Sequence, residues 1–505
     1  MERFNKHRRK KSKFSESEFN HIGIVFQKKN VTLAFVININ IINMSDYQRL
    51  LEKQREFFAE GKTKNIGFRI EQLKKLRQVV IEKHKDIEAS LYKDLRKCEH
   101  ESFATEVTAM IDEINCAVEN LESWIKPVET DSPPVFGQAE CKIYYEPYGT
   151  VLVLNTWNYP FVLCFKPLVG ALAAGNCCVV KPSEVAPTTS KVLADIINTA
   201  FDEEYCVAIE CGVEGTTKLL EERFDFIIYT GSTSVGRIVA QAAAKHLTPT
   251  VLELGGKSPC IVDKSADIER SVNTICWGKL INSGQTCTAP DYIWVHKDVK
   301  DKLVEALKKQ IKEFYGDDIK NNPDFGRIIN QRHFERLQGL MKEGNIVFGG
   351  ETDESQRFIS PTIIDGITWD SKIMQEEVFG PIIPIMTFEN IEDVVKTLVR
   401  LEKPLALYLY TTDKATEELI INNVSFGGGC VNATLMHMLN TNLPFGGIGN
   451  SGHGFYQGKW SIETFSHKKS IFNRSLSDEP SPLFPPYGKY LNISVLKQVY
   501  LGEEK

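Results

Sequence analysis

The 505-residue chain has twelve cysteines but no CxxC motif, and no cysteine–histidine cluster falls at zinc-ligand spacing. A disulfide framework and a structural metal are therefore not expected. The scattered thiols read as reduced, buried residues of a cytosolic chain: Cys177 and Cys178 sit inside an apolar CCVV run, and Cys206 and Cys211 flank VAIE. Long apolar runs are also missing. The one at 31–42, VTLAFVININII, holds two asparagines and falls short of the ~18 apolar residues of a membrane helix. The tail LNISVLKQVYLGEEK is too short and too charged to span, so no transmembrane segment is expected. Basic excess is absent, with a formal net charge of -6, which gives no reason to expect a nucleic-acid partner. Internal repeats and low-complexity segments are missing as well.

The N-terminus carries a basic HRRKKSK, in the manner of a signal or transit peptide. Glu16, Glu18 and Gln27 then interrupt it, and no small-residue cleavage site follows. Residues 1–44 are expected to be a disordered extension, and Met44 reads as an alternative start. The remaining length exceeds one compact core, so two or three domains are expected.

From Asp46 to Leu91 apolar residues recur at helical steps: Leu50, Leu51, Phe57, Phe58, then Ile70, Leu73, Leu76, Val80 and Ile81. A second helix is predicted over Thr105–Ile125. Prolines 127, 133 and 134 break the chain before a strand-like KIYYEPYG (142–149). Then short apolar runs alternate with helical patterns: TVLVL (150–154), CCVVKPS (177–183), VAIECG (207–212), FIIYTGS (226–232) and TVLELGG (250–256) are the strands. Apolar strands alternating with amphipathic helices predict a parallel sheet covered on both faces, which binds ligands beyond the carboxyl ends of its strands. A second alternating region starts at PCIVD (259–263) and runs through a helix over 300–314. The chain then turns glycine-dense at SFGGGCVNA (425–433) and PFGGIGNSGHG (444–454) and ends in a strand-like KKSIFNR (468–474).

Three short motifs carry chemistry. GSTSVG (231–236) follows a strand and opens a helix; it is either a plain turn or a loop whose N–H groups and helix dipole hold a phosphate. In KPSE, Lys181 can donate to a ribose hydroxyl and Glu184 can accept from two; the alternative is a solvated charge pair. Glu253, at the end of an apolar strand, either faces a cleft or is buried and paired. With Cys287 of INSGQTCTAP it makes a base and a thiol nucleophile.

TWNYP, GALAAGN, KPSE, GSTSVG, LELGGKSP, SGQTC, EEVFGP, PLALY and PFGGIGNSG occur here in the order found in NAD(P)-dependent aldehyde dehydrogenases. The resemblance spans residues 45 to about 475. TGSTSVG, ELGGKSPCIVD, SGQTCTAPDY and EKPLALY resemble the class 3 branch, which takes fatty and aromatic aldehydes. The resemblance implies Cys287 as nucleophile, Glu253 as general base and Asn158 as the oxyanion-stabilising amide. It implies coenzyme contacts at Lys181, Glu184, Gly231, Ser232, Thr233, Ser234, Val235, Gly236, Glu377 and Phe379. Tyr159, Thr286 and Thr288 are candidates for the substrate pocket. Met436, His437 and Met438 either shape an acyl tunnel or pack in the core.

The implied fold is α/β, with a Rossmann-like coenzyme domain (45–130 and 150–252) and a second α/β catalytic domain (253–425). A small β bridge for dimerisation, with substrate-entrance loops, takes 131–149 and 426–475, and a tail takes 476–505. The implied cofactor is NAD, with NADP tolerated, and the implied assembly is a homodimer. The membrane-bound members of that branch carry a hydrophobic C-terminal helix that is lacking here. A cytoplasmic location is expected, with peripheral attachment to intracellular membranes as the alternative. The implied reaction oxidises medium- or long-chain aliphatic or aromatic aldehydes to acids through a cysteine thiohemiacetal and thioester. The alternatives are a cysteine-dependent hydrolase, for which no histidine stands in a comparable motif, and an inactive structural member of the same fold.

Overall fold

The computed structural model describes residues 45–133, 138–475, 484–487, 489 and 492–502. The expected extension 1–44 lies outside them, as does much of the tail.

The alternating region forms a six-stranded sheet. Its spatial order is Gly452–His453, Thr250–Glu253, Phe226–Thr230, Thr150–Leu154, Cys177–Lys181, Cys206–Ala208. The last five are parallel, and Gly452–His453 runs antiparallel to Thr250–Glu253. Thr150–Leu154 is central because every residue is buried. Its side chains alternate between two cores: Val151 and Val153 join one, Leu152 and Leu154 the other. Helices Ile66–Glu82, Thr108–Trp124, Val162–Ala174 and Pro187–Ala200 cover the first face, and Asp46–Ala59 and Thr233–Ala244 the second. The strand order reverses between Thr150–Leu154 and Phe226–Thr230. That point is where such sheets open a ligand crevice.

A seven-stranded sheet follows the order Asn345–Phe348, Thr362–Asp365, Ile382–Phe388, Tyr292–His296, Pro259–Val262, Ala406–Tyr410, Gly428–Val431, parallel except at Asn345–Phe348. The same alternation puts Cys260 and Val262 in one core and Ile261 in the other. A third sheet pairs Val128–Thr130, Ala139–Pro147 and Ser466–Arg474, all antiparallel, with nine residue pairs between the two long strands.

Several boundaries differ from the expectation. Val128–Thr130 joins the small sheet and not the coenzyme part, and Gly428–Val431 closes the seven-stranded sheet. Gly452–His453 joins the coenzyme sheet. The predicted strand over 207–212 is only Cys206–Ala208, because the Asn198 amide takes both backbone groups of Ala208, at 2.8 and 3.1 Å. The predicted helix 105–125 is preceded by a π-helical turn at Phe103–Val107. That wide turn aims Glu106 inward, where its carboxylate accepts from Lys97 at 3.1 Å and from the N–H groups of Phe161 and Val162 at 3.1 and 2.9 Å. Among the described residues, no helix is long and apolar enough to cross a membrane.

Candidate active site

Cys287 follows helix Ile268–Leu280 through a turn that needs unusual backbone. Asn282, Ser283 and Gly284 have φ of 51, 53 and 75° in succession. Asparagine tolerates that region and glycine enters it freely. A side chain at Gly284 would also bring its Cβ to 2.3 Å from the Gly380 carbonyl oxygen. Buried hydrogen bonds hold the turn. The Asn282 N–H donates to Glu101 at 2.9 Å, and its side-chain amide donates to the carbonyls of Asn158 at 2.8 Å and Gln285 at 3.1 Å. The Gln285 amide donates to Asn282 and Arg327 carbonyls, each at 3.0 Å, and accepts from Ile329 N–H at 2.9 Å. Asn158 is itself buried. One Nδ2 hydrogen goes to the Gln285 carbonyl at 3.1 Å, and its Oδ1 accepts from Thr156 at 3.2 Å. The second Nδ2 hydrogen has no partner in these bonds.

Three acidic or thiol groups converge here. Burial pushes the Cys287 thiol up to about 12, and the neighbouring Glu377 and Glu253 carboxylates reinforce it, while the N–H groups of Cys287 and Thr288 oppose it. Glu253 is 2% exposed with neither carboxyl oxygen hydrogen-bonded among the described residues, and burial raises it well above the usual carboxylate range. It is buried but not paired, so the buried-and-paired alternative is not met in full. Burial, then Asp291, raises Glu377 to about 8 against the opposing Gly256 N–H. Its carboxyl lies on the backbone of Gly255: a Cβ there would stand 2.1 Å from Oε2.

Lys257 and Asp291 join these segments. Lys257 contacts Asp291 and donates to the Ile373 and Glu376 carbonyls at 2.8 and 2.9 Å. Asp291 accepts from Val378 N–H at 2.8 Å. Arg336 donates to the Glu377 and Val378 carbonyls at 3.0 and 2.6 Å. Phe379, at φ 49°, sets its ring edge-on to Trp157 at 5.4 Å. Sequence reasoning missed Asn282, Gln285, Lys257, Asp291 and Arg336. Asn282, Gln285, Lys257 and Asp291 stand in or beside motifs already singled out, whereas Arg336, 41 residues before Glu377, had no such signal.

The cradle beyond the six-stranded sheet has the features a dinucleotide needs. Ser232 caps helix Thr233–Ala244, and its hydroxyl accepts from Val235 N–H at 3.4 Å. Gly236 lets that helix close on the sheet, since a Cβ would meet Leu254 at 2.6 Å. The helix N-terminus thus stands beside the switch point, as phosphate binding requires. The Thr233 hydroxyl donates to the Asn450 carbonyl at 3.2 Å. Lys181 is buried at the next strand end and contacts the partly exposed Glu184 carboxylate.

A cavity of about 740 Å³ approaches the turn from the other side. Tyr159, Thr286, Met438, Phe445 and Tyr456 are among its walls, and Lys166, Glu101 and Asp324 also line it. The Tyr159 hydroxyl and Thr286 hydroxyl are 3.0 Å apart, and the Lys97 ammonium lies 3.9 Å from the centre of the Tyr159 ring. Thr288 is fully buried and donates to the Met438 sulfur at 3.0 Å, so it backs the wall. Met438 lines the cavity, whereas His437 packs between the Tyr408 and Phe445 rings and Met436 is half exposed. Burial pushes His437 down to about 4. The glycine-dense PFGGIGNSG brackets the Glu253 strand: Ser451 accepts from Leu254 N–H at 3.0 Å, and a Cβ at Gly452 would stand 1.8 Å from the Leu252 carbonyl oxygen.

Known proteins bear the same marks. A family model described as the aldehyde dehydrogenase family matches residues 28–471. The chain is 46% identical to the 4,4'-diaponeurosporen-aldehyde dehydrogenase of Staphylococcus aureus, over 90% of this chain and 98% of that one. It is 44% identical to the dimeric NADP-preferring aldehyde dehydrogenase of Canis lupus familiaris, over 88% and 98%, and 44% identical to aldehyde dehydrogenase family 3 member A2 of Rattus norvegicus, over 86% and 89%. A solved structure, the substrate-bound state of Staphylococcus aureus AldH, superposes with a TM-score of 0.87 at 46% identity, covering 90% of this chain and 100% of that one. The chain belongs to the aldehyde dehydrogenase family of NAD(P)-dependent oxidoreductases, with relatives in the class 3 branch.

Proposed function

We propose that this enzyme oxidises medium- and long-chain aliphatic or aromatic aldehydes to carboxylic acids through covalent intermediates on Cys287. The observation that carries the reading is the 740 Å³ cavity, walled by Tyr159, Phe445, Met438 and Tyr456, whose lining includes Ile281 and Thr286 of the segment leading to Cys287. Such a volume suits a medium-sized organic ligand. The names of relatives, among them a carotenoid-aldehyde and a family 3 enzyme, support a lipid aldehyde.

The Cys287 thiolate adds to the aldehyde carbon, and the carbonyl electron pair moves onto oxygen. The free Nδ2 hydrogen of Asn158 and the Cys287 N–H donate to that oxygen; one such donor is worth roughly 10²–10³ in rate. Lys181, Glu184, residues 231–236, Glu377 and Phe379 would hold NAD(P), which when bound would supply the hydride acceptor for the oxidation. Water then attacks the acyl carbon, gives its proton to the Glu253 carboxylate, and the C–S pair returns to sulfur. Because Glu184 repels a 2′-phosphate, NAD is the expected first choice, with NADP accepted.

Cys287→Ser is expected to lose NADH formation at 340 nm with hexanal, hexadecanal and benzaldehyde. Glu253→Gln is expected to form NADH in one fast turnover and then stall. NADH formation by Cys287→Ser at the parent rate would refute the covalent reading. The edge position of Ser466–Arg474 in its sheet, among the described residues, and a dimeric relative support a homodimer.

A further inference from the structure

Tyr456 is 0% exposed, yet its hydroxyl has no hydrogen-bond partner among the described residues. It lies on the cavity wall, four residues beyond Gly452, which pairs with Glu253 in the six-stranded sheet. A buried phenol without a partner is costly, so a partner is expected to arrive during the reaction.

The chain works hard to hold it there. Gln457, the next residue, has φ 96°, a region that side-chain-bearing residues rarely adopt. Two buried charges brace that turn. Lys166, 6% exposed, donates to Gln457 Oε1 at 2.7 Å and to the Met438 carbonyl at 3.1 Å. Glu113, 1% exposed, accepts from Gly458 N–H at 2.8 Å. Ser461 Oγ accepts from Gln457 N–H at 2.9 Å, and the Gln457 amide donates to the Asn440 carbonyl at 2.7 Å. Tyr456 also pairs with Phe445 through both backbone groups, at 3.0 and 3.1 Å. A surface-type turn would need none of this.

Resting on the thioester reading above, we propose that Tyr456 is a further residue of the reaction centre, whose hydroxyl donates to the hydrolytic water and holds it against Glu253. The water oxygen bonds to the acyl carbon, its proton goes to the Glu253 carboxylate, and the C–S bond breaks with its pair on Cys287. Tyr456 keeps its own proton throughout and only donates a hydrogen bond. The Lys166–Gln457 and Glu113–Gly458 contacts are positioning contacts for it.

Tyr456→Phe keeps the ring against Phe445 and removes only the hydroxyl. Stopped-flow NADH formation in the first turnover should stay within about twofold of the parent, while steady-state turnover falls about tenfold or more. Intact-mass measurement during turnover should then find the acyl adduct on Cys287 accumulating in the variant above the parent. Steady-state turnover within twofold of the parent, or a first turnover slowed as much as the steady state, would overturn the role. If neither protein carries an acyl adduct and Cys287→Ser still turns over, the thioester reading has failed as well. An adduct in the parent with an unchanged variant rejects Tyr456 alone.

Discussion

Glu377 holds a proton that the unfolded chain gives up near the ordinary 4.5, since burial raises it to about 8 in the fold. The folded state therefore binds more protons between those values, and this group costs stability as pH rises from about 4.5 to about 8. Thermal melts should show Glu377→Gln losing less stability than the parent between pH values of about 5 and about 8. Equal slopes would remove the raised carboxyl from the account. At this scale Cys287, Glu253 and Asn158 stand out in the sequence because each sits in a short motif with distinctive neighbours. Gln285 and Tyr456 do not. The partners that give Asn158 and Gln285 their roles lie 127 residues apart in sequence, and Tyr456 looks like any aromatic residue until its buried surroundings are known.

The INSG turn depends on backbone conformation more than on any side chain. Gly284→Ala meets both a φ of 75° and a Cβ 2.3 Å from the Gly380 oxygen. The conformation alone costs about 1–3 kcal/mol, and the clash adds to it. Urea unfolding should register that loss, and turnover should fall with it because Cys287 stands three residues on. A variant with parent stability and turnover would mean the turn relaxes freely. The alternating apolar strands of both sheets were readable from periodicity, since their side chains must face two cores in turn. The π-helical turn at Phe103–Val107 was not, because its cause is Lys97, Phe161 and Val162, which lie outside its local pattern.

Among the described residues, three of the four sheets divide the work. One carries the proposed dinucleotide cradle, one carries Cys287 and Glu377 on its connections, and the small antiparallel sheet ends in a nine-residue edge strand. Ile471 on that strand is 43% exposed, which is costly for an apolar side chain and would be relieved by the proposed second copy. Ile471→Lys should shift the mass by light scattering toward the monomer, with the fold intact by circular dichroism. An unchanged mass would move the interface elsewhere. The α/β class and the two-sheet plan were legible from the strand-and-helix alternation. The transfer of Gly428–Val431 to the second sheet was not, since GGCV carries little strand signal.

The surroundings of Cys287 also bear on how the enzyme ages. Desolvation raises this partly buried thiol, so less of it stands as thiolate at neutral pH, and the thiolate is the form that peroxides and electrophiles attack. An enzyme whose substrates are themselves reactive carbonyls lives among such reagents. The desolvation that makes its nucleophile reluctant between turnovers also guards it against covalent damage.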